Sequence, residues 1–327
     1  MDLELELKKR SDFFNVQLEK FLRNGTPEAL YEALRHLPLA GGKRLRPCLA
    51  MITCESVKGD IIKVIPFSIA LELVHNFTLV HDDIMDKSKL RRNIPAVHIK
   101  YGEPTAIIAG DLLFAKAFES MHNITADYSV FKNIEYGLID CVKEICEGQQ
   151  LDMEYEKRKI ISEDEYIEMI RKKTAVFFQF GAEGGAILGG GTAEEIHTLN
   201  EYGLNLGLGF QIWDDYLDIS SDEKTLGKDI GNDIRNGKKT LIAVHCLNTA
   251  KGDDKHILED IFGNRYATEQ EVKQVYNLFI KLKSIDYAKN CALNYCEKAK
   301  KALEILTDSD AKKILMELAR YAISRRK

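Results

Sequence analysis

The sequence predicts an all-α fold: a single large bundle of about ten or more helices around a deep central cleft, with residues 1–327 as one domain. Three observations predict it. Helix-start punctuation recurs, with Thr26 as an N-cap before Pro27 at the first helical position and capping boxes at Ser162-x-x-Glu165, Thr192-x-x-Glu195 and Thr268-x-x-Glu271. Each signal opens a segment in which apolar residues recur with a 3.6-residue period, while the period-two alternation of strands is almost absent. No linker divides the chain: its six prolines are scattered, its glycines cluster beside motifs, and neither a low-complexity tract nor a short-period repeat is present.

Taken in order, the expected helices cover 2–23, 27–38, 43–58, 61–88, 104–123, 127–156, 163–189, 193–220, 238–250, 268–282, 284–305 and 309–324. Segments 61–88 and 193–220 are apolar on most faces, which places them centrally. Residues beyond 250 read as amphipathic packing helices. A net charge of −5 and a pI near 6.0 argue against nucleic acid as the main partner, so an anionic ligand would have to meet local cations. Seven cysteines without a CxxC pair read as reduced core thiols, and the charged amino terminus is unlike a signal peptide. The longest apolar run, 64–80, contains Pro66, Glu72, His75 and Asn76 and is too polar for an integral membrane segment; a cytoplasmic protein is expected.

The chemistry sits at the ends of the two central helices. In HNFTLVHDDIMDKSKLRR, residues 75–92, Asp82 and Asp86 lie four apart and His75 seven before Asp82, so all three share one helical stripe. In GFQIWDDYLD, residues 209–218, Gln211, Asp214, Asp215 and Asp218 fall at i, i+3, i+4 and i+7, again on one face. Carboxylates so placed repel unless a cation joins them, and two such helices facing each other would form a carboxylate cage. Hard oxygen donors suit Mg²⁺, which takes one or two carboxylates and completes its shell with water and phosphate. Cations for a phosphate follow each cluster: Arg91 and Arg92 after the first, Lys228 and Lys238 after the second across a glycine-rich segment that reads as a lid. Lys43 and Arg46 in GGKRLRP flank a helix start, where backbone N–H groups attract anions.

From GGKRLRP at 41–47 to GKKT at 237–240, with LVHDDIMDKSKLRR, YGEPTAIIAGDLL, EGQQLD, KKTA, GFQIWDDYLD and GKDIGNDIRNGKKT between, the chain resembles the trans-isoprenyl diphosphate synthases, or polyprenyl synthetases. It is most similar to the archaeal-type short-chain branch that makes farnesyl or geranylgeranyl diphosphate. One position departs from the pattern: Asn93 stands where the family has glycine, and asparagine tolerates a positive φ better than most residues.

The resemblance implies the isoprenoid synthase fold, a homodimer, and head-to-tail transfer of an allylic group (dimethylallyl, geranyl or farnesyl) to isopentenyl diphosphate, with the released diphosphate taking the proton. Three Mg²⁺ ions are implied, held by Asp82, Asp86 and Asp214 with Asp83, Asp215 and Asp218 in support. Lys43, Arg46, His75 and Arg92 would hold isopentenyl diphosphate; Arg91, Lys173, Lys228 and Lys238 would hold the allylic diphosphate, with Thr174 and Gln211 near the developing cation. Asp111, Gln150 and Asp152 are candidate supports, Asp111 being alternatively a packed core group, while Phe177, Phe178 and Phe180 read as core. Phe77 and Thr78, five and four residues before Asp82, lie roughly 6–8 Å deeper along the helix. In the family an aromatic at the Phe77 position floors the product tunnel, and one aromatic beside threonine implies C20, with C15 as the alternative. A terpene cyclase would carry an Asn/Ser/Glu triad in place of DDYLD, a non-catalytic partner subunit would have lost a motif, and a ferritin-like di-metal protein would need Glu-x-x-His.

Overall fold

The computed structural model describes residues 2–23, 25–220 and 229–324. Among them the fold is helical, as expected. The helices are α1 (Leu3–Phe21), α2 (Glu28–His36), α3 (Leu45–Ser56), α4 (Ile61–Met85), α5 (Val97–Tyr101), α6 (Glu103–Met121), α7 (Tyr128–Lys157), α8 (Glu163–Ile170), α9 (Val176–Leu188), α10 (Ala193–Ser220), α11 (Asp229–Asn236), α12 (Leu241–Thr249), α13 (Asp253–Ile261), α14 (Glu269–Lys281), α15 (Ser284–Ala302) and α16 (Asp310–Ala322). A two-stranded hairpin, β1 (Leu90–Arg91) and β2 (Ile94–Pro95), follows α4.

Two compact units divide the chain. The first holds residues 1–139, 180–200 and 305–315, and the second holds 140–179, 201–304 and 316–327. In the first, α4 packs against α3 and α6 and is buried along most of its length, from Val64 to Val80. Length and composition alone would let α4 cross a membrane, but 56% of its most apolar window is buried inside the protein, which makes it a core helix. The second unit closes its own core around Tyr166, Ile170, Ile212, Trp213, Leu241 and Val275, with α12 packed on α15 and α8.

All three expected capping boxes form. The Ser162, Thr192 and Thr268 hydroxyls accept from the N–H three residues on, and Glu165, Glu195 and Glu271 accept from the cap N–H at 2.7–2.8 Å. Other expectations are corrected. Pro27 is itself the N-cap of α2, and Thr26 makes no capping bond. The expected helix 163–189 is interrupted at Arg171–Ala175 by a π turn, in which Val176 N–H reaches back to Arg171 C=O. Helix 61–88 ends at Met85 because Ser88 N–H turns back to Asp83 C=O and leads into the hairpin. Within the expected lid, residues 229–236 are helical, and Ile234 is buried at the second unit's core. Residues 221–228 lie outside the described part.

Candidate functional site

The first aspartate motif is divided by burial. Asp83 is buried, and both Nε and Nη2 of Arg91 donate to its Oδ1, at 3.0 and 2.6 Å. Asp82 is half-buried and Asp86 exposed, at the open end of α4. Arg91 reaches Asp83 because the chain reverses through a two-residue turn, Arg92-Asn93, with φ of 52° and 62°. Such a turn needs positive φ at both central residues, which Asn93 supplies at little cost and Arg92 does not. Arg92 is held there by donating from Nη1 to Leu37 C=O at 3.2 Å and to Gly41 C=O.

Those carbonyls belong to the stretch that carries the predicted anion site. Gly42 has a φ of 129°, which strains any other residue, and a Cβ there would lie 2.9 Å from Arg92 Cζ and oblige the guanidinium to shift. Arg44, between the predicted Lys43 and Arg46, is the N-cap of α3 in a left-handed conformation and is buried. Its guanidinium donates to Glu72, to Pro38 C=O and, at 2.9 Å, to Asn15 Oδ1. Glu72 is 2% exposed, accepts from Asn76 at 2.9 Å and lies 3.8 Å from Arg92. Sequence reasoning missed this pair, though Glu72 three residues before His75 in an apolar run was a usable signal. No side chain caps α3. His75 is held well below the usual histidine range, first by burial and then by the field of Arg46, Arg92, Arg44 and Arg91. Arg46 Nη1 lies 3.4 Å from His75 Nε2; arginine can only donate, so the neutral imidazole accepts there and carries its proton on Nδ1.

The second motif, in the second unit, is divided in the same way. Asp215 is 5% exposed, while Asp214 and Asp218 are half-buried. Tyr166 Oη donates to Asp215 Oδ2 at 2.8 Å, Gln211 Nε2 to Asp215 Oδ1 at 3.1 Å, and Thr174 Oγ1 to Gln211 Oε1 at 2.9 Å. Burial pushes Asp215 up to about 6, against the opposing pull of Lys238, Tyr166 and Gln211. The π turn presents Lys173 and Thr174, with Lys173 paired to Asp152. Two helical glycines make room for it: a Cβ at Gly148 would lie 2.3 Å from Lys173 N, and one at Gly207 2.6 Å from Ala175 Cα. Lys238 lies 3.8 Å from Asp233; burial opposes its charge, but Asp233, Asp215, Asp152 and Asp218 hold its pKa above the ordinary value. A cavity of about 70 Å³ lies among Asp152, Lys173, Thr174, Gln211, Asp215 and Lys238. The structure therefore gathers Lys173, Thr174, Gln211, Asp215 and Lys238, whereas Lys228 lies outside the described residues.

Three further assignments can be placed. Phe77 is half-buried, its ring 4.9 Å from His81 and 5.4 Å from Phe114, which in turn lies 5.2 Å from Phe118. Thr78 Oγ1 donates to His75 C=O at 2.8 Å. Asp111 is exposed, 4.0 Å from His81, and so is not a packed core group. Gln150 is exposed and spends its amide on Glu154; Phe177, Phe178 and Phe180 are buried core.

Among the described residues no group of three or more His, Cys, Asp or Glu side chains is gathered to hold a metal. The donor set nevertheless suits Mg²⁺. Each motif offers incompletely buried carboxylates one helical turn apart, and Mg²⁺ would complete its shell with water and phosphate. Carboxylates flanking a buried, hydrogen-bonded one, with cations alongside, are the groups an enzyme would use on a polyanionic substrate bridged by metal.

The chain belongs to the polyprenyl synthetase family and is a prenyltransferase: the Polyprenyl synthetase family model matches residues 27–279. It is 43% identical to the geranylgeranyl diphosphate synthase of Methanosarcina mazei over 99% of this chain and 98% of that protein. It is 34% identical to the geranylfarnesyl diphosphate synthase of Natronomonas pharaonis over 99% and 98%. The crystal structure of geranylgeranyl pyrophosphate synthetase from Pyrococcus horikoshii matches with a TM-score of 0.93 and 41% identity, covering 99% of this chain and 98% of that one.

Proposed function

We propose that the protein condenses isopentenyl diphosphate head-to-tail with allylic diphosphates to give geranylgeranyl diphosphate, using Mg²⁺ bound by Asp82, Asp86 and Asp214. The observation that carries this reading is the shared design of the two aspartate motifs, each a buried, hydrogen-bonded carboxylate between less buried ones with cations nearby. Bound Mg²⁺, three ions in the family pattern, would supply charge to stabilise the departing diphosphate. Lys173, Lys238, Lys228 and Arg91 hold the allylic diphosphate; Arg91 has committed only Nε and Nη2 to Asp83. Lys43, Arg46, His75 and Arg92 hold isopentenyl diphosphate, with Arg44 and Glu72 fixing the backbone beneath them. Thr174 and Gln211 orient lone pairs toward the allylic cation. The C20 product is supported by the identity to geranylgeranyl diphosphate synthases and by Phe77 beside Thr78; C15 is the alternative outcome. Purified protein given Mg²⁺, isopentenyl diphosphate and each primer, with the products sized, tests the reading; absence of condensation with every primer would refute it.

A homodimer is part of the proposal. Ile107 and Ile108 on α6 and Tyr136 and Ile139 on α7 are exposed apolar side chains that a second copy could cover. Light scattering at micromolar concentration should give twice the chain mass, and a monomer would contradict it. Both units together form the proposed catalytic domain. A cytoplasmic location is supported by all seven cysteines being free.

A further inference from the structure

Tyr166 belongs to none of the motifs that mark the site, yet it is fully buried and ends on one of them. The helix that carries it is anchored at its N-terminal end, just before the contact. Its N-terminus has the Ser162–Glu165 capping box, and Tyr287 Oη is hydrogen-bonded to both Glu163 oxygens at 2.7 and 2.9 Å. The Tyr166 hydroxyl proton is aimed at Asp215 Oδ2, 2.8 Å away.

Directionality propagates from that contact. A carboxylate only accepts, so Gln211 must turn its NH₂ to Asp215 Oδ1, which puts Gln211 Oε1 on the side of Thr174. The Thr174 hydroxyl gives its single proton to that oxygen, and the Thr174 oxygen can then offer only lone pairs to anything else nearby. The reverse arrangement would aim N–H and O–H groups at the same space and repel a developing cation.

We propose that Tyr166 is a positioning residue for prenyl transfer: by fixing the Asp215 carboxylate it locks the Gln211 amide and the Thr174 hydroxyl so that both present oxygen lone pairs to the allylic cation. This rests on the reading above that Thr174 and Gln211 lie beside that cation. The effect is on the transition state, where the charge develops, and not on diphosphate binding.

The test compares Tyr166→Phe, Thr174→Val and the double variant by steady-state kinetics, alongside spectra of metal-free protein labelled with ¹⁵N-glutamine. Tyr166→Phe should lower kcat about tenfold with the KM for the allylic diphosphate unchanged within about twofold, and the double variant should be little worse than the poorer single one. The side-chain amide signals of Gln211, assigned by their loss in Gln211→Glu, should shift in Tyr166→Phe. Unchanged kcat, additive losses in the double variant or unshifted Gln211 signals would each overturn the proposal, because a merely structural tyrosine predicts one or more of them. Should Tyr166→Phe not fold, the wild-type spectrum decides: Gln211 amide protons must exchange more slowly than those of exposed Gln150. A wild-type protein without condensation activity would refute the functional reading instead, while the spectra would still report on the hydrogen-bonded relay.

Discussion

Replacing Phe77 by alanine separates a floor for the growing chain from ordinary packing. Phe77 lies five residues before Asp82, about 7.5 Å along α4 from the carboxylate at 1.5 Å per residue. Its ring is half-buried against His81 at 4.9 Å and Phe114 at 5.4 Å, so removal vacates a space about the size of a benzene ring walled by aromatics. Apolar cavities of that kind stay dry and accept apolar guests. One more five-carbon unit is of similar size, and the product should therefore lengthen by one unit, from C20 toward C25. Full burial of a phenylalanine would make the substitution cost about 3–5 kcal/mol, and the partial exposure brings the expected loss to about 2–3 kcal/mol, within what a folded domain tolerates. Wild type and variant should be incubated with farnesyl and isopentenyl diphosphates, their products sized by mass spectrometry, and their melting temperatures compared. A folded, active variant with an unchanged product distribution would refute the reasoning and leave Phe77 as packing.

Other perturbations follow from the same geometry. Glu72→Ala leaves Arg44 buried without its carboxylate, which should cost about 3–5 kcal/mol and raise the KM for isopentenyl diphosphate more than that for the allylic substrate; equal KM changes would contradict the role given to Glu72. Asp82→Ala and Asp214→Ala should each lower kcat by about a hundredfold or more with little change in melting temperature, since neither carboxylate is fully buried. Near-normal turnover in either would show the motif to be misassigned. Burial lowers Lys239 to about 8. Because the unfolded lysine titrates near 10.4, the unfolded chain binds more protons between about pH 8 and 10.4 and stability should rise with pH across that window, by on the order of 3 kcal/mol. Lys239→Met should abolish that increment in denaturant titrations compared at both ends of the window; identical slopes would contradict the shift.

The sequence made the helices legible wherever a cap announced them: Thr192 placed the start of α10 to the residue, and its periodicity ran to Ser220. The hairpin escaped because its strands are two residues long and Arg92-Asn93 lacks the usual Asn-Gly signature. Glycine and mixed charge disguised α11, and an acidic stretch hid α13. The π turn leaves no periodic trace; its signals were the glycines at 148 and 207 that let neighbouring helices approach it. Within the site, residue types that could touch metal or phosphate were legible from their spacing. Their supports were not: nothing in the sequence singled out Arg44 or Tyr166, because a supporting role depends on contacts 28 and 49 residues away in the chain.

The most direct measurement of the central claim is product formation by the purified protein from isopentenyl and farnesyl diphosphates, with Mg²⁺ and with excess chelator. Geranylgeranyl diphosphate should accumulate with Mg²⁺ and disappear on chelation, returning when the metal is restored. Full activity in chelator, or no condensation product under either condition, would contradict the account.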